Sequence, residues 1–399
     1  MRVFKKSFTL QEPIPAAGIA SAIAVMNSGR LHRYDVDPGE LGEVSALERE
    51  FADFLGVPFC LACASGGYAI YLALSAAGVQ AGDQVLSNAF TLAPVPGAIH
   101  NAGAHPVFIE MAGDYCIDLD DLDAKASACD ARVLLLSHMR GHIADMDRVL
   151  EICQRHNLFL IEDCAHTMGG GWNGRPSGRD ADIACFSTQT YKHLNSGEGG
   201  LLCCRDSDVM AKATVMSGSY MMFERHGAGA EASSFNEAKW LTPNCSGRMD
   251  HLRAAILRPQ LQELKKRCER WNSLYAVLEG GLRALPAVRM PLRHRQEQFV
   301  GSSIQFSLPD FSEASIRATV QRCGERGVTL KWFGAAEPEG YTSRYDSWRY
   351  VENMPKLSRT EELLSTLCDM RVPLTFNEED CRLIVSIIGE VLAQVRDSL

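Results

Sequence analysis

One lysine stands among hydroxyl and amide side chains in the stretch Ala184-Cys185-Phe186-Ser187-Thr188-Gln189-Thr190-Tyr191-Lys192-His193-Leu194-Asn195-Ser196-Gly197-Glu198-Gly199-Gly200, with no acidic neighbour before Glu198. The stretch opens as an apolar strand, 182–186, and closes on a Gly-Glu-Gly-Gly turn ahead of a second apolar strand, 201–204. A lysine held between two buried strands loses hydration, which lowers its pKa and frees the neutral amine to act as a nucleophile. Upstream, the apolar run Leu158-Phe159-Leu160-Ile161 leads into Glu162-Asp163-Cys164-Ala165-His166. A carboxylate at the carboxyl end of a parallel strand faces the crevice where α/β proteins bind ligands. An acid after one strand and a lysine after a later one suit a pyridoxal phosphate site. There the lysine forms the Schiff base and the acid keeps the pyridine nitrogen protonated. Singly, each residue reads as a solvated charge or a helix cap. Their order on successive strands sets them apart.

A glycine pair belongs with them. Ser65-Gly66-Gly67 links strand 57–63 to helix 68–77, and glycines at such a junction leave backbone N–H groups free to cradle a phosphate. Glycine also occurs at these turns for steric reasons alone. Helices are expected at 14–27, ended by Ser28-Gly29, and across Val44, Leu47, Phe51, Phe54 and Leu55, closed by Gly56. Then strands and helices alternate: strand 84–87, helix 94–101, strand 106–109, a short helix near 118–126, strand 132–137, helix 146–156 and strand 158–161. Apolar strands separated by helices predict an α/β fold with a mostly parallel sheet covered on both faces. Residues 216–243, rich in Gly, Ser and charge, read as a long ordered loop. A helical pattern follows from Met249 to Leu282, interrupted at Pro259. A smaller α+β part closes the chain, with strand 303–308, helix 313–326 and helix 378–395. Placing the boundary inside the long helix gives a large cofactor-binding domain, 1–260, and a small C-terminal domain, 261–399.

With 399 residues the chain can bury a large core. A net charge of −9 argues against non-specific nucleic-acid binding, and no apolar run is long enough to span a bilayer. The basic start, Met1 to Phe8, lacks an apolar segment behind it and so predicts no secretory leader. Most of the 14 cysteines fall inside apolar strands or helices, the usage of free thiols in a reducing cytoplasm. Cys60 and Cys63 form a lone C-x-x-C in a strand with no second pair at ligand spacing, so no metal is expected.

Asp163-x-x-His166, Phe186-Ser187-x-x-x-x-Lys192, Gly197-Glu198-Gly199-Gly200 and Arg248-Met249 together resemble the DegT/StrS family of sugar aminotransferases, fold-type I pyridoxal phosphate enzymes. The likeness extends through Gly103 to Phe108, Arg225-His226-Gly227 and Met370-Arg371-Val372-Pro373-Leu374, nearly the whole chain in family order. The resemblance implies that Lys192 carries the Schiff base and shuttles the proton, while Asp163 pairs with the pyridinium nitrogen. It places His166 beside the ring, and Ser187 with the backbone of Gly66 and Gly67 on the phosphate. It also implies a homodimer in which the loop from Asn244 to Arg248 reaches the neighbouring site.

The chain departs from the family pattern around the cofactor. Gly67 replaces a threonine, and the aromatic that stacks on the ring falls on Leu92, with Phe90 two residues away. The family's loop asparagine aligns with Ser246, leaving Asn244 as its stand-in. A family Tyr-Gly-Gln is Arg140-Gly141-His142, and the histidine after Phe-Ser-x is Gln189. These changes point to an acceptor unlike a nucleotide-linked ketosugar. The leading expectation is a transfer of an amino group from an amino-acid donor, glutamate or glutamine, to a ketosugar or related carbonyl acceptor. The alternatives are a pyridoxal-dependent dehydratase or lyase, and a non-catalytic cofactor-binding regulator. Lys192 argues against those dehydratases that replace the lysine by histidine, and scattered Cys323, Cys368 and Cys381 do not suggest cluster ligands. Arg140, Arg179 and Arg225 are candidates for reading the donor carboxylate, and Trp332-Phe333 for lining the acceptor pocket, though an aromatic pair is more often core.

Overall fold

The computed structural model describes residues 2–37 and 39–396. In chain order its first strands are β1 (Phe59–Cys63), β2 (Gln84–Asn88), β3 (His105–Ile109), β4 (Val133–Ser137) and β5 (Phe159–Asp163). A short hairpin, β6 (Gly171–Trp172) and β7 (Arg175–Pro176), precedes β8 (Ile183–Ser187) and β9 (Gly200–Cys204). Seven strands form one sheet in the order β1-β9-β8-β5-β4-β2-β3. Only β9 runs antiparallel to its neighbours; β8, β5, β4, β2 and β3 pair in parallel. Helices cover both faces, burying separate apolar clusters on either side. The expected mostly parallel, helix-covered sheet is what forms. In β1, Cys60 and Cys63 join clusters on opposite faces, because strand residues three apart point to opposite sides.

The C-terminal part adds β10 (Glu297–Gln298), which extends the β6–β7 hairpin, and the antiparallel sheet β11-β13-β12. Those strands are Ser303–Ser307, Leu367–Arg371 and Lys331–Trp332 respectively. Helices Glu313–Glu325 and Glu378–Arg396 pack on one another, and the latter packs on helix His251–Arg283. The chain's start belongs to the same side. Phe4, Phe8 and Phe376 form a trio with ring centroids 5.0–5.5 Å apart, and the Phe4 amide donates to the Arg326 carbonyl at 2.8 Å.

Two expectations of local structure change. Helix His251–Arg283 continues through Pro259 without a break. Proline removes one ladder hydrogen bond, but burial of Ala254, Leu257, Gln260, Leu264 and Trp271 along this helix holds it together across that point. The stretch 216–243 is not all loop: it contains helix Phe235–Leu241, with only Phe235 and Ala238 buried. Two inward residues in seven are too few to show as a periodic pattern.

A buried ion pair fixes how this stretch meets the first helices. Glu48 accepts from both Arg33 terminal nitrogens at 2.9 Å and from the Ala62 amide at 2.8 Å, and His226 lies 3.3 Å away. Both Arg33 and Glu48 side chains are fully buried. Burial opposes the charge on Glu48, but Arg33 and His226 hold its carboxyl down at about 2. The Arg225-His226-Gly227 tripeptide therefore has a packing role here. Removing one partner of such a pair strands a buried charge, so Glu48→Ala should cost about 3–5 kcal/mol in urea denaturation. A loss below about 1 kcal/mol would place the pair with weak surface bridges instead.

Candidate active site

The register of the large sheet brings the candidate residues together. Asp163 pairs with Ser137 on one side and Cys185 on the other, so Ser187 extends two residues beyond it. The Ser137 hydroxyl donates to Asp163 Oδ2 at 2.8 Å and the Ala165 amide to Oδ1 at 3.1 Å. These two donors aim a carboxylate over the strand ends. Between β8 and β9 the chain makes an excursion closed by Thr188-to-Gly199 and Thr190-to-Gly197 backbone bonds of 2.9 and 3.0 Å. Lys192 sits at its tip, its amide donating to the Gln189 carbonyl at 2.8 Å.

Next to it lies the N-terminus of helix Gly66–Ala76, capped by the Ser65 hydroxyl, which accepts from the Tyr68 amide. Glycine is required here by contact. A Cβ on Gly66 would stand 2.8 Å from the Ser187 Cβ, and one on Gly200 would strike the Ser65 carbonyl. The absence of side chains lets the helix N-terminus, Ser187 and the start of β9 converge. Free N–H groups, the helix dipole and a hydroxyl make this an anion cradle.

Ser65, Gly66, Gly67, Asp163, His166, Ser187 and Lys192 all line one cavity of about 320 Å³. Lys192 Nζ is 2.7 Å from His166 Nε2. Burial chiefly, with Asp163 opposing it and Arg140, Arg371 and Lys331 adding to it, brings the Lys192 amine down to about 7. Burial likewise holds His166 well below its ordinary value, with Lys192 adding to the effect. The neutral imidazole and a half-neutral amine thus share one hydrogen bond at neutral pH. His193, behind the lysine, is pushed to about 3 by burial and bonds the Ser302 hydroxyl at 2.9 Å.

Leu92 lines the cavity, whereas Phe90 is buried behind it against Phe333, centroids 5.0 Å apart. Of the three candidate arginines, Arg140 lines the cavity; Arg179 and Arg225 are exposed elsewhere. Trp332 is buried with its Nε1 donating to the Ser365 carbonyl, and Phe333 is core. Asn244 is exposed, and Arg248 donates to Gly218 O at 2.6 Å and Ser246 Oγ at 3.1 Å. Neither side chain lines the cavity of its own chain. Among the described residues, one trio could hold a metal, buried His138, Glu162 and Cys164. Glu162 Oε2 is already bonded to His138 and the Gly178 amide, each at 3.0 Å.

Sequence reasoning missed Arg371, Tyr191, Tyr341, Phe8 and Gln11 on the cavity wall. Arg371 lies in the Met370-to-Leu374 segment, whose likeness to the family marked the place but not the side chain. Tyr191 falls at an unspecified position of the Phe186-to-Lys192 motif, and the others come from segments with no motif.

The profile described as the DegT/DnrJ/EryC1/StrS aminotransferase family matches residues 19–388. The chain belongs to this family. An L-glutamine:2-deoxy-scyllo-inosose aminotransferase of Streptomyces lividus is 31% identical over 275 residues, 68% of this chain and 64% of that protein. This chain therefore spans just under two thirds of that relative's length. A 3-amino-5-hydroxybenzoic acid synthase superposes with a TM-score of 0.81 at 23% identity, over 97% of this chain and 99% of that one. The PLP form of Spr1654 from Streptococcus pneumoniae superposes at 0.81 with 17% identity, over 98% and 100%. These likenesses establish the fold.

The depressed Lys192 pKa carries a sign. Below about 7 the amine is protonated and unreactive; above it the amine is free. Labelling of Lys192 in the cofactor-free protein with an aldehyde and borohydride, read by peptide mass spectrometry, should rise with a midpoint near neutrality. A midpoint at the ordinary lysine value of about 10.4 would mean the amine is solvated.

Proposed function

We propose that this chain is a pyridoxal phosphate-dependent aminotransferase moving an amino group from an amino-acid donor to a carbonyl acceptor. The observation that carries it is Lys192: a half-neutral amine facing the cavity that Asp163 and the anion cradle also line. The residues present fit the cofactor. Gly66 and Gly67 amides with the Ser187 hydroxyl would hold its phosphate, Asp163 its ring nitrogen, and Lys192 its aldehyde carbon, with Leu92 and His166 flanking the ring. Bound there, the cofactor supplies an electron sink for the carbon that bears the migrating nitrogen. Asp163, oriented by Ser137 and Ala165, keeps a proton on the ring nitrogen. Lys192 Nζ, positioned by His166 Nε2, would take the proton from the donor carbon. In the overall exchange the donor carbon is oxidised to a carbonyl and the acceptor carbonyl carbon is reduced to an amine. One water is consumed and one released.

By its name, the Streptomyces lividus relative takes its amine from L-glutamine; glutamate or glutamine is the donor proposed here. The division at residue 260 is kept, with the N-terminal strap packed on the small part. All 14 cysteines are free, 11 of them buried, which supports a cytoplasmic setting. No described helix is long and apolar enough to cross a membrane.

L-Glutamate should convert the bound cofactor to its amine form, seen as a shift in its absorbance. Asp163→Asn should still bind the cofactor but slow this conversion at least ~100-fold, since an amide cannot balance a positive ring nitrogen. An unimpaired variant would assign the task to another carboxylate.

The working unit proposed is a homodimer with shared sites. The Gly247 carbonyl accepts from Ala64 beside the cradle, while the Asn244 and Arg248 side chains stay off their own cavity. Tyr220, Met221, Trp240 and Leu241 on the flanking stretch are exposed, Leu241 to 77%, a surface suited to a partner chain. Mixing inactive Lys192→Ala and Arg248→Ala chains should then restore activity in mixed dimers. Mixed dimers that form but stay inactive would return Arg248 to its own chain.

A further inference from the structure

Two arginines, Arg140 and Arg371, line the cavity, and a third cation, Lys331, stands behind Arg140 across one carboxylate. Arg140 comes from the turn after β4, Lys331 from β12 and Arg371 from the end of β13. Asp369, one strand partner from Lys331, is fully buried. Its Oδ1 accepts from Gln305 Nε2 at 2.8 Å, and Gln305 Oε1 in turn accepts from His142 Nε2 at 2.8 Å. Its Oδ2 faces Arg140 Nη2 at 3.1 Å and Lys331 Nζ at 3.9 Å, yet makes hydrogen bonds with neither. Arg140 Nε and Nη2 and Lys331 Nζ are buried without a hydrogen-bond partner, and the Arg140 residue is only 6% exposed. Arg371 lies flat on the Tyr191 ring, 3.6 Å from its centroid, with the Tyr341 ring centroid 5.8 Å away. Glu198, the other carboxylate on this wall besides Asp163, is exposed.

Buried donors without partners are rare because each costs its full desolvation. Two guanidinium forks and an ammonium, in surplus over one carboxylate, call for an anion from outside the chain. The cradle at Gly66 and Ser187 already answers the cofactor phosphate. The cations instead sit around Lys192: Arg371 stacks on its chain neighbour Tyr191, and all three depress its amine. The group they read must therefore lie close to the reacting carbon. A carboxylate one or two bonds from that carbon meets this condition; the diphosphate of a nucleotide-linked sugar hangs beyond the sugar ring. An aminotransferase admits its two substrates to one place in turn. An amino-acid donor would satisfy the cations in the first half-reaction, and a neutral acceptor would leave them unpaired in the second.

On the reading of the chain as an aminotransferase, we propose that Arg140 and Arg371, backed by Lys331, form a carboxylate subsite and that the amine acceptor is an oxo acid. The amino group enters at its carbonyl carbon while the carboxylate rests on the two arginines.

The protein reconstituted with pyridoxamine phosphate isolates the acceptor half-reaction and bypasses the donor. Two matched pairs serve as probes: pyruvate against pyruvamide, and 3-oxocyclohexanecarboxylate against its carboxamide. At least one acid should restore the aldehyde form of the cofactor on the order of 10²-fold faster than its amide. Arg371→Met and Arg140→Met should bring the acid down to the level of the amide with cofactor affinity unchanged. In parallel, cyclohexanecarboxylate should bind the wild-type protein in calorimetry and fail to bind Arg371→Met. Amides that react as well as the acids overturn the subsite but leave the aminotransferase reading standing. Variants that lose the cofactor instead of the preference assign the cations to the cofactor and overturn the subsite too. If cyclohexanecarboxylate binds and competes with L-glutamate while the acid and amide acceptors react alike, the subsite serves the donor and the oxo-acid acceptor is overturned. No reaction with any probe, nor with L-glutamate on the aldehyde form, overturns the aminotransferase reading itself.

Discussion

A lysine amine that is half neutral at physiological pH is the constraint around which this molecule is arranged. In water the ammonium form is favoured by more than three pKa units, so the fold must make that charge unwelcome. It does so by burial first and by three neighbouring cations second, against the pull of Asp163. Burial follows from how the chain crosses from β8 to β9. The excursion is pinned at both ends by backbone bonds, Thr188 to Gly199 and Thr190 to Gly197, which leave Lys192 little freedom to swing out to solvent. The same crossing puts Gly200 against Ser65 and Ser187 against Gly66. Amine and anion cradle are thereby fixed relative to each other by contacts that tolerate no Cβ.

Most of this half of the site was legible because it is local. Lys192, Asp163, Ser187 and the glycine pair each follow an apolar strand, and a parallel sheet collects strand ends in one place. The strands themselves were legible since they are buried on both faces and lack polar alternation. The cationic half was not, because its members sit far apart in the chain and the motif segments that hold Arg140 and Arg371 do not show where those side chains point. Arg140 was one arginine among three until the turn after β4 fixed its direction. That turn holds Arg140 at φ 56°, a left-handed conformation that a long side chain adopts at a cost of about 1–3 kcal/mol. Arg371 reaches the cavity, and Lys331 comes up behind Arg140, only once the small sheet docks. The choice between Phe90 and Leu92 likewise turned on packing, since Phe333 from the small part claims Phe90.

Helix boundaries failed where packing outweighed local preference. Pro259 marks a break in any isolated helix. Here the residues around it are held by their neighbours: Gly18 of helix Ala16–Ser28 stands against Ile256, and Arg258 bridges Glu43 and Glu50 of helix Glu43–Leu55. Helix Phe235–Leu241 escaped notice for the opposite reason, presenting so few buried residues that composition suggested a loop. Trp240 and Leu241 at its end are apolar and exposed, which explains the misleading pattern.

The cavity is closed by segments from three regions of the sequence, and the first of them is the most unexpected. Residues 4–8 anchor through the Phe4–Phe8–Phe376 trio, and the chain then runs on to bring Phe8 and Gln11 to the cavity wall. Met370 to Pro373 enters from the other side, its strand anchored by pairing with β11 and by Trp271 Nε1 donating to the Val372 carbonyl at 2.9 Å. Arg371 is thus carried on a paired strand end, and the strap and helix His251–Arg283 hold that strand in place. A guanidinium on a flexible loop would trade its position for solvation. Held at the end of the central strand of the small sheet and stacked on Tyr191, it stays beside the lysine and keeps the amine's charge unfavourable until an anion arrives. The positive charge that lowers the Lys192 pKa and the charge that would receive a substrate carboxylate are then one feature. Binding the carboxylate would raise the proton affinity of Lys192, and that suits the role proposed for it of taking a proton from the donor carbon.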